Sequence, residues 1–168
     1  MKQPGILFSF CALVSIVAWS CSSPQPALVS LEQRVKRLEA AAPGVGELMS
    51  GVHLHFAKLH YAAKAGNWKL ADSEVDEIQE NLDKAALLRP EENGVKLAGV
   101  IESLKQTQLA GMKKASAQGE RSLFSKSYDE TMSACNSCHR TTGRPFIVIT
   151  EPTAPPVANQ QWASPKEN

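Results

Sequence analysis

The sequence is short of cysteine, of uncompensated charge and of long apolar runs, and each shortage removes a class of protein. There are four cysteines in 168 residues. Only Cys135 and Cys138 have the C-x-x-C spacing, so two such pairs cannot supply the four ligands of a structural zinc site. No βαβ pattern surrounds the pair, which leaves it without the setting of a thioredoxin-like dithiol. Lysine and arginine number 18 against 17 aspartate and glutamate, so there is no basic excess of the kind a nucleic-acid-binding face needs. The longest apolar run, residues 6–19, is broken by Ser9 and Ser15 and falls short of the roughly 20 residues that cross a bilayer. No stretch reads as a sheet; residues 146–149 are a lone apolar run.

What is present begins with a leader. Met1-Lys2 gives a positive start, the apolar run follows, and small residues close it. This is the pattern of a cleaved signal peptide over residues 1–20, and it predicts export to the periplasm or cell envelope. The ending Ala18-Trp19-Ser20-Cys21 resembles a bacterial lipobox. That resemblance implies lipidation of Cys21, a membrane anchor and, with Ser22 next, outer-membrane sorting in a Gram-negative host. Ala18-Trp19-Ser20 also suits ordinary signal peptidase. Removing residues 1–20 takes away Cys11 and one charge, Lys2, and leaves equal acidic and basic counts. The remaining length suits one domain.

The informative motif is Cys135-Asn136-Ser137-Cys138-His139, the C-x-x-C-H pattern of c-type haem attachment. Two thiols three residues apart on a helical turn reach the two vinyl groups of one porphyrin. The histidine that follows falls under the iron as an axial ligand. The expectation is one haem c, covalently held by Cys135 and Cys138, with His139 on the iron. In an oxidising compartment unused thiols tend to pair, so this use also accounts for both cysteines.

Between leader and motif the pattern is helical. Residues 21–27 form a polar, proline-containing spacer. Leu28, Leu31, Val35 and Leu38 then make a two-heptad seam over residues 28–42, which fits a stalk folded back on the domain or a self-association helix. Pro43-Gly44 ends it. Four amphipathic stretches follow, at residues 45–65, 67–88, 95–115 and 120–141, separated by Gly66-Asn67, Pro90 and Gln118-Gly119 and ended by Gly143. Short connections make neighbours antiparallel. The predicted fold is all-α: an up-down-up-down four-helix bundle over residues 45–142, with the N-terminal stalk and an extended tail over 143–168. Five prolines in that tail exclude helix. Phe146, Ile147, Val148, Ile149 and Trp162 are too apolar for a solvated end, so the tail is expected to pack near the haem.

A bundle with C-x-x-C-H on its last helix resembles cytochrome c′. The finer pattern is similar to a group of small bacterial c-type cytochromes: His55-Phe56-Ala57-Lys58-Leu59, then Gly66-Asn67-Trp68-Lys69-Leu70-Ala71, Tyr128, the haem motif, and residues 142–149. The resemblance spans about residues 47–162 and implies haem binding and no further function. Cytochrome c′ keeps a five-coordinate iron and ends soon after its motif. This chain continues for 29 residues past His139, a departure that puts open gas access in doubt.

The second axial position is the remaining question. His53, His55 and His60 lie on the first bundle helix. At roughly 100° per residue, His55 falls within the arc of Leu48, Val52, Leu59 and Ala62, and a buried imidazole needs a partner. His55 is therefore the candidate sixth iron ligand, followed by Met49 or His53, and then by an open site. Met112 and Met132 are excluded by their position along the helices. Two strong ligands favour a carrier of single electrons between exported redox proteins, which is the leading expectation. An open site favours a receptor for NO or CO. A peroxidase would need a distal acid–base group that nothing singles out, so an enzyme is not expected.

Overall fold

The computed structural model describes residues 26–165. The leader, Cys21 and most of the spacer lie outside the described residues. The chain divides after Ala41 into two compact units. The first carries helix α1 (Pro26–Ala41), on which Leu28, Leu31, Val35 and Leu38 are exposed. The second holds α2 (Val45–Lys64), α3 (Trp68–Leu88), α4 (Leu97–Leu104), α5 (Ala110–Gln118) and α6 (Arg121–Thr141). The protein is mostly helical. Among the described residues no helix is long and apolar enough to cross a membrane.

The helix ends follow from local chemistry. Gly66 takes φ +73°, a left-handed turn that costs glycine little. The amides of Gly66 and Asn67 then donate to the carbonyls of Ala63 and Ala62 at 3.0 and 2.9 Å, capturing the last carbonyls of α2. Asn67 also starts α3. Its Oδ1 accepts from the Leu70 amide at 3.1 Å, and its Nδ2 donates to the Trp162 carbonyl at 3.0 Å. Asn67→Ala is expected to cost about 1–3 kcal/mol, the loss of a cap and of a tail bond together. Chemical denaturation measures this, and Asn67→Asp, which keeps the cap acceptor, should recover about half.

Side-chain contacts set the packing register. On α2, His55 and Lys58 reach Glu74 of α3 at 2.7 and 2.8 Å, and Gly51 lies against Asn81. Lys113 of α5 reaches Asp72 and Asp76 of α3 at 3.3 and 2.7 Å. Lys105, before α5, reaches Asp83 at 2.7 Å. Between α6 and α2, the Tyr128 hydroxyl donates to the Phe56 carbonyl at 3.2 Å. The Arg121 guanidinium donates to the carbonyls of Ala63 and Lys64 at 3.2 and 2.9 Å. In each pair one residue number falls as the other rises, so the pairs are antiparallel. Leu59, Val75, Ile78, Leu109 and Met112 fill the interior between them.

The third stretch differs from the sequence expectation. Residues 91–96 form a hairpin, β1 (Glu91–Glu92) antiparallel to β2 (Val95–Lys96), where helix was expected from residue 95. Its turn is Asn93-Gly94 with φ 49° and 80°, the two-residue mirror-image turn for which Asn-Gly is suited. Helix resumes at Leu97 and passes through a π-helical turn, Lys105–Leu109, before α5.

The described part of the tail, residues 143–165, contains neither helix nor strand, as its prolines require. It lies against the helices. The Tyr61 hydroxyl donates to the Pro152 carbonyl at 3.3 Å, and the Tyr61 and Trp162 rings pack at 5.6 Å.

Candidate functional site

Cys135, Cys138 and His139 stand on the last turns of α6 and line one cavity of about 760 Å³. Its walls are apolar: Met49, Val52 and Phe56 from α2, Leu97 and Ile101 from α4, and Ile147 from the tail take part. A volume of this size is ordinary for a cofactor site, where a few placed polar groups fix orientation.

Both thiols are unpaired and partly buried. Burial, with the neighbouring Cys138 adding to it, pushes the Cys135 thiol up to about 11. Burial also raises Cys138. A redox dithiol depends on the opposite shift, since the thiolate is its reactive form. Among the described residues no three of histidine, cysteine, aspartate and glutamate gather as a metal cluster.

His139 is oriented by the tail. Its Nδ1 lies 3.0 Å from the Ile147 carbonyl. A carbonyl can only accept, so Nδ1 carries the proton and the Nε2 lone pair is left for a metal. Gly143, at φ +76°, reverses the chain after α6, and the Arg144 amide donates to the His139 carbonyl at 2.7 Å. The reversal brings the tail back along the motif. Asn136, between the two cysteines, grips Ile149 twice. Its Nδ2 donates to the Ile149 carbonyl at 2.9 Å, and its Oδ1 accepts the Ile149 amide at 2.7 Å. The motif's spacing gives no hint of this grip.

The three histidines of α2 take different surroundings. His55 does not line the cavity. It faces α3, where its Nδ1 lies 2.7 Å from the buried Glu74 carboxylate, beside Lys58. The buried arc of α2 is divided between two neighbours. Leu59, Ala62 and His55 fall in the sector toward α3, while Val52, Phe56, Met49 and His53 fall toward the cavity, at roughly 100° per residue. The requirement that an inward imidazole have a partner is met by a carboxylate. His60 lies 3.6 Å from Glu151 of the tail, and burial lowers its pKa more than Glu151 raises it. Met49 and His53 line the cavity, whereas Met112 and Met132 do not.

His55→Ala is expected to leave the spectrum of a haem-loaded protein unchanged. It should lower stability by about 1–3 kcal/mol, because Glu74 loses a charge-assisted hydrogen bond. Denaturation and absorbance on one sample read both quantities.

Comparison with protein-family models, with curated proteins and with solved structures gives no match.

Proposed function

We propose that the four helical rods of the second unit form an up-down-up-down bundle holding one haem c, and that the protein carries single electrons between exported redox proteins. Cys135 and Cys138 would carry the thioethers and His139 would be the proximal ligand. The observation behind this is that both thiols and His139 share the wall of one apolar cavity. When bound, the haem supplies one-electron chemistry at an iron tuned by its axial ligands and its burial. The chain's own part is to exclude water with apolar walls and to fix the His139 ring through Ile147.

Helix register favours Met49 as the sixth ligand. Phe56 is level with Tyr128. Two antiparallel turns away, at about 3.6 residues per turn, Met49 comes level with Cys135. His53 comes level with Thr131, a turn short of the motif, and is exposed where Met49 is half-buried. Export and lipid anchoring through Cys21 belong to the same proposal and rest on the leader pattern alone.

The test is the visible spectrum of protein made with a c-haem maturation system, oxidised and reduced. Low-spin iron in both states supports a carrier. High-spin iron that binds CO at once would move the reading to a gas receptor.

A further inference from the structure

Arg144 is the first tail residue after the glycine that ends α6, and it forms part of the cavity wall. Its Nη2 is paired with the Glu92 carboxylate of the hairpin. The hairpin is held in place from the other side, where the Asn93 side-chain amide donates to the Thr142 carbonyl at 2.6 Å. The guanidinium is thus fixed by its own backbone bond to His139, by Glu92 and by the anchored hairpin. Yet its Nε is buried and has no hydrogen-bond partner. A buried donor without an acceptor is costly, and native proteins leave few of them unexplained. Arginine presents its donors as a planar fork matched to carboxylates, and here Glu92 takes one prong.

We infer that Arg144, a cavity-wall residue with one enclosed and unpartnered guanidinium donor, is the docking point for a carboxylate of the cofactor, a haem propionate. The inference rests on the haem reading above and adds which end of the porphyrin meets which residue. The chemistry is specific. The walls are mainly apolar, with Glu92, His53 and several hydroxyl groups among the polar lining. Among the described residues Arg144 is the one arginine or lysine there, so it is the charged donor offered to a porphyrin's anionic arms. Glu92 then acts as a positioning residue that holds the guanidinium in the wall.

The experiment uses the full chain carrying Cys135→Ala and Cys138→Ala, so that binding is reversible and covalent attachment cannot mask it. Ferric protoporphyrin IX is titrated against its dimethyl ester, in which both carboxylates are neutral, and the Soret band is followed. The free acid is expected to bind about tenfold more tightly or better, the effect of one charge-assisted hydrogen bond. Adding Arg144→Lys, which can keep the ion pair to Glu92 but lacks the second prong, should remove most of that preference. Equal affinity for the two porphyrins would overturn the inference and leave the haem reading standing. A preference that survives Arg144→Lys would also overturn it. No bound Soret band with either porphyrin would count against the haem reading itself. The comparison of the two porphyrins needs no substitution at Arg144, so a variant that fails to fold does not blunt it.

Discussion

Replacing Cys135 and Cys138 together by alanine is expected to take covalent haem from one per chain to none. Cys11 is lost if the leader is cleaved, and Cys21 is far from the motif in sequence. No other thiol lies in the second unit, so no side chain can substitute. The cavity walls would remain, and porphyrin would bind reversibly and be lost on denaturing electrophoresis. Each single alanine variant should retain one thioether and a weakened haem stain. Intact mass and haem staining after maturation read the result. A wild-type protein that stays colourless under conditions that mature other c-type cytochromes would remove the basis of the proposed function.

Met49→Ala is expected to convert the iron from fully low-spin to mainly high-spin and to open it to CO, with covalent attachment intact. Loss of a thioether ligand also lowers the reduction potential, since methionine ligation raises it. Met49→His should restore a low-spin spectrum at a lower potential than the wild type. His53→Ala is expected to change neither spin state nor CO access. If Met49→Ala keeps its low-spin spectrum and His53→Ala loses it, the register argument has chosen the wrong turn of α2. Absorbance in both oxidation states and a CO titration separate these outcomes.

The helical character of the second unit was legible because its ends are written in residue types that act locally. Gly66 with Asn67 and Gly143 each stop or start a helix through their own backbone and side chain, with no help from distant parts. The hairpin at residues 91–96 was legible in principle from Asn93-Gly94, but its strands are two residues each and carry no alternating pattern. The π-helical turn at residues 105–109 has no composition that distinguishes it from the helix on either side. At the site, the C-x-x-C-H spacing places three residues on one wall because adjacent helical turns leave them no choice. For His55, periodicity says that a residue points inward without saying toward which neighbour. Glu74, 19 residues away, decides that. Arg144 and Asn136 were missed for a related reason: their partners belong to the hairpin and the returning tail, whose paths depend on the turns at Gly94 and Gly143.

The tail is held at two distances along the chain, and this separates its halves in time. Asn136 closes on Ile149 across 13 residues, while Tyr61 meets Pro152 across 91 and Asn67 meets Trp162 across 95. Closing a short loop costs less entropy than closing a long one, and contacts near in sequence form sooner. The inner half, which walls the cavity and steers His139, can therefore seat itself as soon as α6 exists. The outer half must wait until α2 and α3 are already packed. The contacts at Trp162 and Pro152, which close the longer loops, are therefore expected to open before those beside the two thiols.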